Sequence, residues 1–144
     1  MKMHLKRLAG AAAVLLASLG LSGCSGDVFA TPSAISVLDE DQTTADELPT
    51  DASGFELDAA TSHFLWSGDD VSAYAARSDN GYYCVVVYSD TRPDGVAGCG
   101  PTLPITLSIG GSTEYKLIAD DGDPTEGANG AADWTKLADN LFST

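Results

Sequence analysis

Short apolar runs separated by turn-forming residues fill the chain from Ser62 onwards. Clusters of Gly, Pro, Asp and Asn interrupt the runs, a pattern typical of antiparallel strands joined by hairpins. We therefore expect a mainly β domain over residues 61–144, a small antiparallel meander in which strands adjacent in sequence pair. About six strands are predicted, at residues 62–67, 72–78, 82–89, 96–99, 105–109 and 113–119.

The turn Gly110-Gly111-Ser112 allows the register of its hairpin to be predicted. A two-residue loop would place Leu107 opposite Glu114, and a slip by one residue turns every side chain to the other face. A three-residue loop aligns the apolar residues of the two strands. It pairs Ile109 with Thr113, Leu107 with Tyr115 and Ile105 with Leu117.

Residues 82–88 are apolar at nearly every position, which predicts a central strand covered on both faces. One cover is expected from the tail, where Trp134, Leu137 and Leu141 have the spacing of one helix face. This spacing favours a short C-terminal helix over residues 131–140. A final strand through residues 140–142 fits nearly as well, and the pattern does not decide between them.

The first 23 residues have the layout of a secretory signal peptide: a cationic start, followed by an uncharged apolar run over residues 8–21. That run is too short to span a membrane comfortably. It ends in Leu21-Ser22-Gly23-Cys24, which resembles the lipobox of bacterial lipoproteins. The resemblance implies cleavage before Cys24, lipidation of its sulfur, and an anchor on the extracytoplasmic face of the cell membrane. The alternative is a plain secreted protein with an incidental cysteine.

The three cysteines support the lipoprotein interpretation, because an odd number in an exported chain leaves one unpaired. If Cys24 carries lipid, Cys84 and Cys99 remain as a pair. The midpoint between these two lies inside the turn cluster at residues 90–95, so a disulfide and a hairpin predict each other. Closing a loop of about 15 residues would contribute roughly 3 kcal/mol to stability in the entropic model.

Cleavage before Cys24 would leave a strongly acidic protein. All 21 acidic residues but only four basic ones follow that position, which gives a net charge of −17. This balance excludes nucleic acid as a partner, because binding it needs a basic surface. Solubility explains so much acid more simply than an acidic recognition surface does.

Acid is concentrated in residues 24–60, which we interpret as a lipid-anchored tether that is partly disordered. Within it Thr44 and Glu47 have the spacing of a capping box, which predicts one or two helical turns there. Disorder is an equally good interpretation of the same residues.

Several short stretches recur together in one kind of protein: Leu38-Asp39-Glu40-Asp41-Gln42-Thr43, Ala45-Asp46, Leu48-Pro49, Tyr74, Cys84-Val85-Val86, Gly98-Cys99, Trp134 and Asn140-Leu141. Through them the mature chain resembles small exported or lipid-anchored proteins of high-GC Gram-positive bacteria, which are uncharacterised. The resemblance covers most of the mature chain, supports the Cys84–Cys99 pair and the envelope location, and transfers no functional residue.

Candidate chemistry is sparse. His63 is the one histidine after the leader, and no Gly-x-Ser-x-Gly motif accompanies it, so a small hydrolase is the weakest hypothesis. Residues 121–126 resemble the opening of a calcium loop, but Glu126 stands where the sharp turn needs Gly, and Ala132 replaces the bidentate Glu. We therefore assign no catalytic residue, no metal ligand and no cofactor.

The leading hypothesis is a non-enzymatic lipoprotein whose β domain binds an envelope protein or a ligand outside the membrane. Four aromatic residues are candidate contacts, although packing in the core is the better explanation for any single one of them: Phe64, Trp66, Tyr74 and Tyr88. The alternatives are a weakly calcium-responsive module that uses the loop from Asp120 to Glu126, and a small hydrolase centred on His63.

Overall fold

A computed structural model describes residues 34–49, 53–127 and 133–144. The predicted signal peptide (residues 1–23), the lipobox with Cys24, and the first part of the predicted tether lie outside the described residues. Residues 131 and 132, at the start of the predicted C-terminal helix, also lie outside them.

The described residues form two four-stranded antiparallel sheets, which confirms the mainly β prediction. The first sheet has the strand order β1-β2-β3-β4, and the second has the order β5-β6-β8-β7. The strands are β1 (Leu57–Gly68), β2 (Val71–Ser78), β3 (Tyr83–Ser89), β4 (Arg92–Gly100), β5 (Ile105–Ile109), β6 (Thr113–Leu117), β7 (Thr135–Ala138) and β8 (Leu141–Ser143). Single-turn 3₁₀ helices occupy Ser36–Asp39, Thr44–Asp46 and Ser53–Phe55.

The first sheet is a meander built around the predicted disulfide hairpin. Cys84 on β3 lies opposite Cys99 on β4, and their sulfurs are 2.04 Å apart. The turn between these strands is shorter than predicted, because β4 begins at Arg92. Gly95 makes the early start possible: its φ is +73°, and a Cβ there would lie 2.7 Å from the Tyr88 ring.

The second sheet confirms the predicted register of its first hairpin. Residues 110–112 form a three-residue loop, and the pairs are Ile109 with Thr113, Leu107 with Tyr115 and Ile105 with Leu117. The apolar side chains therefore lie on the face that packs against the first sheet.

The two sheets pack face to face around a shared core. β3 is buried on both faces, as predicted: Val85 and Val87 point into this core, whereas Cys84 and Val86 belong to a smaller cluster on the outer face of the first sheet. The main core also includes Ile35, which is fully buried, and so contains part of the segment interpreted as a tether. The first sheet itself begins at Leu57, before the predicted domain start at residue 61.

The prediction of a short C-terminal helix is wrong for the described residues, since the tail forms β7 and β8. β8 pairs with β6 and places Leu141, fully buried, opposite Leu117. Two short strands with a tight turn at residues 139–140 produce the same apolar spacing as a helix face. The strands are favoured over the helix because β8 supplies hydrogen-bond partners to the backbone groups at the edge of β6. The predicted meander of about six strands thus becomes two sheets with eight.

Candidate functional site

His63, the centre of the hydrolase hypothesis, is a packed residue in this fold. It is 2% exposed on β1, and its Nδ1 lies 3.8 Å from Oδ2 of Asp46. Asp46 is already engaged by three donors: the backbone N–H of Thr43, the hydroxyl of Thr43 and the N–H of Phe64. The arrangement is a structural clasp between the N-terminal segment and β1.

The observed capping pair lies one residue before the predicted pair. The reciprocal pair is Thr43 with Asp46, and not Thr44 with Glu47. Burial raises the pKa of Asp46, but the hydrogen bonds from Thr43 and Phe64 to its carboxylate outweigh burial, so the net pKa lies below its usual value. The predicted helical turn is therefore present as a 3₁₀ turn that the carboxylate fastens to the sheet.

The loop that resembles a calcium site is held by a lysine. The Lys116 side chain is 2% exposed, and its ammonium donates to the backbone carbonyls of Pro124, at 2.7 Å, and Glu126, at 3.2 Å. The same ammonium lies 4.3 Å from the centre of the Trp134 ring. The carbonyl oxygens of Pro124 and Glu126 thus accept hydrogen bonds from Lys116 and are not free to bind a calcium ion. Within the residues described, no group of three or more His, Cys, Asp or Glu side chains is arranged to hold a metal ion.

Of the four candidate aromatic contacts, one is open to a partner. Tyr74 and Tyr88 are 6% and 4% exposed and pack edge to face on the outer side of the first sheet. Trp66 is half-buried against the main core. Phe64 is 37% exposed, with its ring edge to face against Tyr74 at 5.6 Å.

Phe64 forms part of a surface groove of about 720 Å³, which we call the acidic groove. Four parts of the chain form its walls: the N-terminal segment around the first 3₁₀ turn, β1, residues 120–122 after β6, and the β7–β8 hairpin. Four carboxylates and one lysine line it together with two phenylalanines: Glu40, Asp120, Asp121, Asp139, Lys136, Phe64 and Phe142.

Two of the four groove carboxylates are engaged within the protein. Asp120 accepts hydrogen bonds from the N–H of Ser36, at 2.9 Å, and from Nδ2 of Asn140, at 2.8 Å. Burial raises the pKa of Asp120, but these hydrogen bonds outweigh it and the net pKa is lowered. Asp139 pairs with Lys136 at 3.0 Å.

The carboxylates of Glu40 and Asp121 accept no hydrogen bond from the residues described, and they face solvent. The groove therefore presents two uncommitted negative charges beside an open aromatic ring. Sequence reasoning identified Phe64 but missed Glu40 and Phe142. No local signal could have found them, because the groove joins segments as distant as Ser36 and Asp120.

The described residues contain no helix that is long and apolar enough to cross a membrane. Cys24, the predicted site of lipid attachment, lies outside them. Comparison with protein-family models, with curated proteins and with solved structures finds no match for this chain.

Proposed function

We propose that this protein is a non-enzymatic lipoprotein of the bacterial cell envelope, anchored through Cys24, whose β domain binds a basic segment of an envelope partner in the acidic groove. The observation that carries the proposal is the combination in that groove of two solvent-facing carboxylates, Glu40 and Asp121, with the open ring of Phe64.

The chemistry of the groove favours arginine over other cationic side chains. A guanidinium can stack on an aromatic face and donate to a carboxylate at the same time, because it is planar and carries five donors. Phe64 supplies the aromatic face, and Glu40 and Asp121 line the same groove. The acidic surroundings also accelerate encounter with a basic partner, an effect that salt screens over about 8 Å at physiological ionic strength.

The burial of His63 supports a binding role rather than hydrolysis. A general base must come within hydrogen-bond reach of a substrate. At 2% exposure, with Asp46 beside it, the imidazole of His63 lies in the packed interface between β1 and the N-terminal segment.

Lipid anchoring is tested in cells by comparing the wild-type chain with Cys24→Ala. We expect the wild-type protein in the membrane fraction, and mass spectrometry of its N-terminal peptide should show a diacylated cysteine. Cys24→Ala should leave the membrane fraction, because stable anchoring needs two or more acyl chains. A wild-type product without lipid, released into the medium, would contradict the anchor.

Binding in the groove is tested with a synthetic decapeptide that carries four arginines, and with the same peptide in which citrulline replaces arginine. We expect the arginine peptide alone to bind in calorimetry, with affinity that weakens as salt rises. Phe64→Leu keeps apolar volume but removes the ring, and should weaken binding about 2- to 5-fold, the size of an exposed cation–π contact.

A charge-matched pair of variants separates the groove from general acidity. Glu40→Gln with Asp121→Asn should weaken binding further than Phe64→Leu, whereas Asp79→Asn together with Asp58→Asn removes the same charge outside the groove. Asn suits residue 121, whose φ is +57°. Equal loss of binding from both double variants would mean that net charge, and not the groove, binds the peptide.

A further inference from the structure

The two sheets part at the end formed by the β1–β2, β3–β4 and β5–β6 turns, leaving a cavity of about 340 Å³ that we call the sandwich mouth. Three carboxylates line it. Asp69 and Asp70 are the two turn residues between β1 and β2, and Asp90 lies in the turn between β3 and β4. None of these carboxylates accepts a hydrogen bond from the residues described, and no lysine or arginine is among the residues that line the cavity.

Tyr115 lies at the floor of the sandwich mouth and supplies a second kind of polar group. The residue projects from the inner face of β6 and is 6% exposed, with its ring packed in the main core. Its hydroxyl has no hydrogen-bond partner among the described residues, yet it is not one of the polar atoms sealed away from solvent. Burial raises the pKa of Tyr115, and the negative charge of Asp69 raises it further.

A tyrosine hydroxyl as buried as this one normally has a hydrogen-bond partner. Tyr115 is one of the residues that line the cavity, so its hydroxyl can accept a hydrogen bond from a donor group that enters the sandwich mouth. Val71, Val87 and Ile109 form an apolar part of the lining, beside the hydroxyl-bearing residues Ser89, Thr91 and Thr113. An anionic entrance, an apolar patch and a tyrosine acceptor match a molecule that joins a cationic nitrogen to a short carbon chain.

We infer that the sandwich mouth binds an alkylammonium group, which donates to the Tyr115 hydroxyl while Asp69, Asp70 and Asp90 balance its charge. The carbon chain attached to the nitrogen contacts Val71 and Val87. A metal ion fits less well, because the described residues contain no group of three or more suitable side chains in metal-binding geometry. The same chemistry occurs in a free diamine and in a lysine side chain, and the test below distinguishes them.

The experiment follows the backbone and tyrosine NMR signals of the full chain, purified in detergent, during titration with 1,4-diaminobutane. A parallel titration uses N-acetyl-lysine methylamide, and 1,4-butanediol serves as the uncharged control. We expect saturable shifts at Tyr115, Asp69 and Val87 with both amines and none with the diol. The tighter of the two amines identifies the source of the group. Equal shifts with the diol, or no shifts with either amine, would overturn the inference.

Variants of the sandwich mouth make the test specific. Tyr115→Phe keeps the packed ring and should weaken amine binding about 10- to 150-fold, the effect of one hydrogen bond from a charged donor, without lowering the thermal midpoint. Asp69→Asn preserves a residue that tolerates the left-handed backbone, where φ is +50°. It should weaken binding as well, whereas Asp79→Asn, in the turn at the opposite end of the first sheet, should not.

The sandwich mouth shares no described lining residue with the acidic groove. Glu40→Gln with Asp121→Asn should bind diaminobutane as the wild-type chain does, even if the groove fails to bind the arginine peptide. Unchanged amine affinity in Tyr115→Phe and Asp69→Asn would show that the amine binds elsewhere, and would remove the sandwich mouth as a site.

Discussion

The acidic groove and the sandwich mouth carry charge of the same sign, but the groove also contains carboxylates that are bound within the protein, whereas the mouth, among the residues described, does not. In the groove, Asp120 is bound by Ser36 and Asn140 and so joins the N-terminal segment to the second sheet. In the mouth, Asp69, Asp70 and Asp90 accept no hydrogen bond from the described residues. In a protein this acidic, the number of nearby carboxylates therefore does not identify a binding site. The hydrogen bonds that each carboxylate already accepts are more informative.

The two regions also differ in how the chain builds them. The groove requires contacts between residues far apart in sequence, because its walls include the N-terminal segment and the C-terminal hairpin. The sandwich mouth is made from hairpin turns whose strands pair with their neighbours along the chain. Substitutions in the N-terminal segment should consequently disturb the groove more than the mouth.

The largest effect is expected from Ile35→Ala. Ile35 is fully buried, and truncating such a side chain to Ala costs about 2 to 5 kcal/mol in the free energy of unfolding. Urea denaturation measures the loss, and Ile35→Val is the control, with an expected cost of about 1 kcal/mol. NMR shifts should change more along the groove than in the sandwich mouth, whose residues Val87 and Tyr115 share the main core with Ile35. Equal changes in NMR shift in the groove and in the mouth would contradict the conclusion that the N-terminal segment supports chiefly the groove.

Removing the disulfide should affect the sandwich mouth more than the acidic groove. Cys84→Ala with Cys99→Ala releases the hairpin whose turn carries Asp90, at an expected cost of about 3 kcal/mol from loop entropy. Wild-type protein reduced with dithiothreitol should unfold at the same urea concentration as the double variant. Amine binding in the mouth should weaken more than peptide binding in the groove. The reverse order would contradict the assignment of the amine site to the sandwich mouth.

Acid should weaken two sets of hydrogen bonds together: those that Asp46 accepts in the clasp and those that Asp120 accepts in the groove. The pKa values of Asp46 and Asp120 lie below the usual 3.8, so the stability that each carboxylate contributes is present above that pH and is lost as the pH falls through the lowered value. We expect unfolding curves recorded from pH 6 to pH 2 to lose stability chiefly below pH 3.8. Asp46→Asn should flatten this acid limb, and an unchanged limb in that variant would exclude Asp46 as a source.

The hairpins were predictable because their signals are local. The spacing of Cys84 and Cys99 around a turn, and the alternation on both sides of Gly110-Gly111-Ser112, indicated partners and register correctly. The tail was not predictable, because the apolar spacing of Leu137 and Leu141 fits a helix as well as two short strands, and the free edge of β6 decides between them. The groove was hidden for a similar reason: Ser36 and Asp120 meet only after both sheets have formed.

The smallest effects are expected from replacing one Asp by Asn in each of the two regions. Asp120→Asn leaves an amide NH₂ facing one of two donors, from Ser36 or from Asn140, and should cost about 1 kcal/mol. Asp69→Asn disturbs no internal hydrogen bond and keeps a residue suited to φ +50°, so its effect should stay within about 0.5 kcal/mol.

The free energies of unfolding of these two variants, measured by urea denaturation at pH 7 in one buffer, test most directly whether the groove carboxylate is structural and the mouth carboxylate is available to a ligand. We predict that Asp120→Asn loses stability and that Asp69→Asn retains the stability of the wild-type chain. Equal losses in the two variants, or a larger loss in Asp69→Asn, would contradict that distinction.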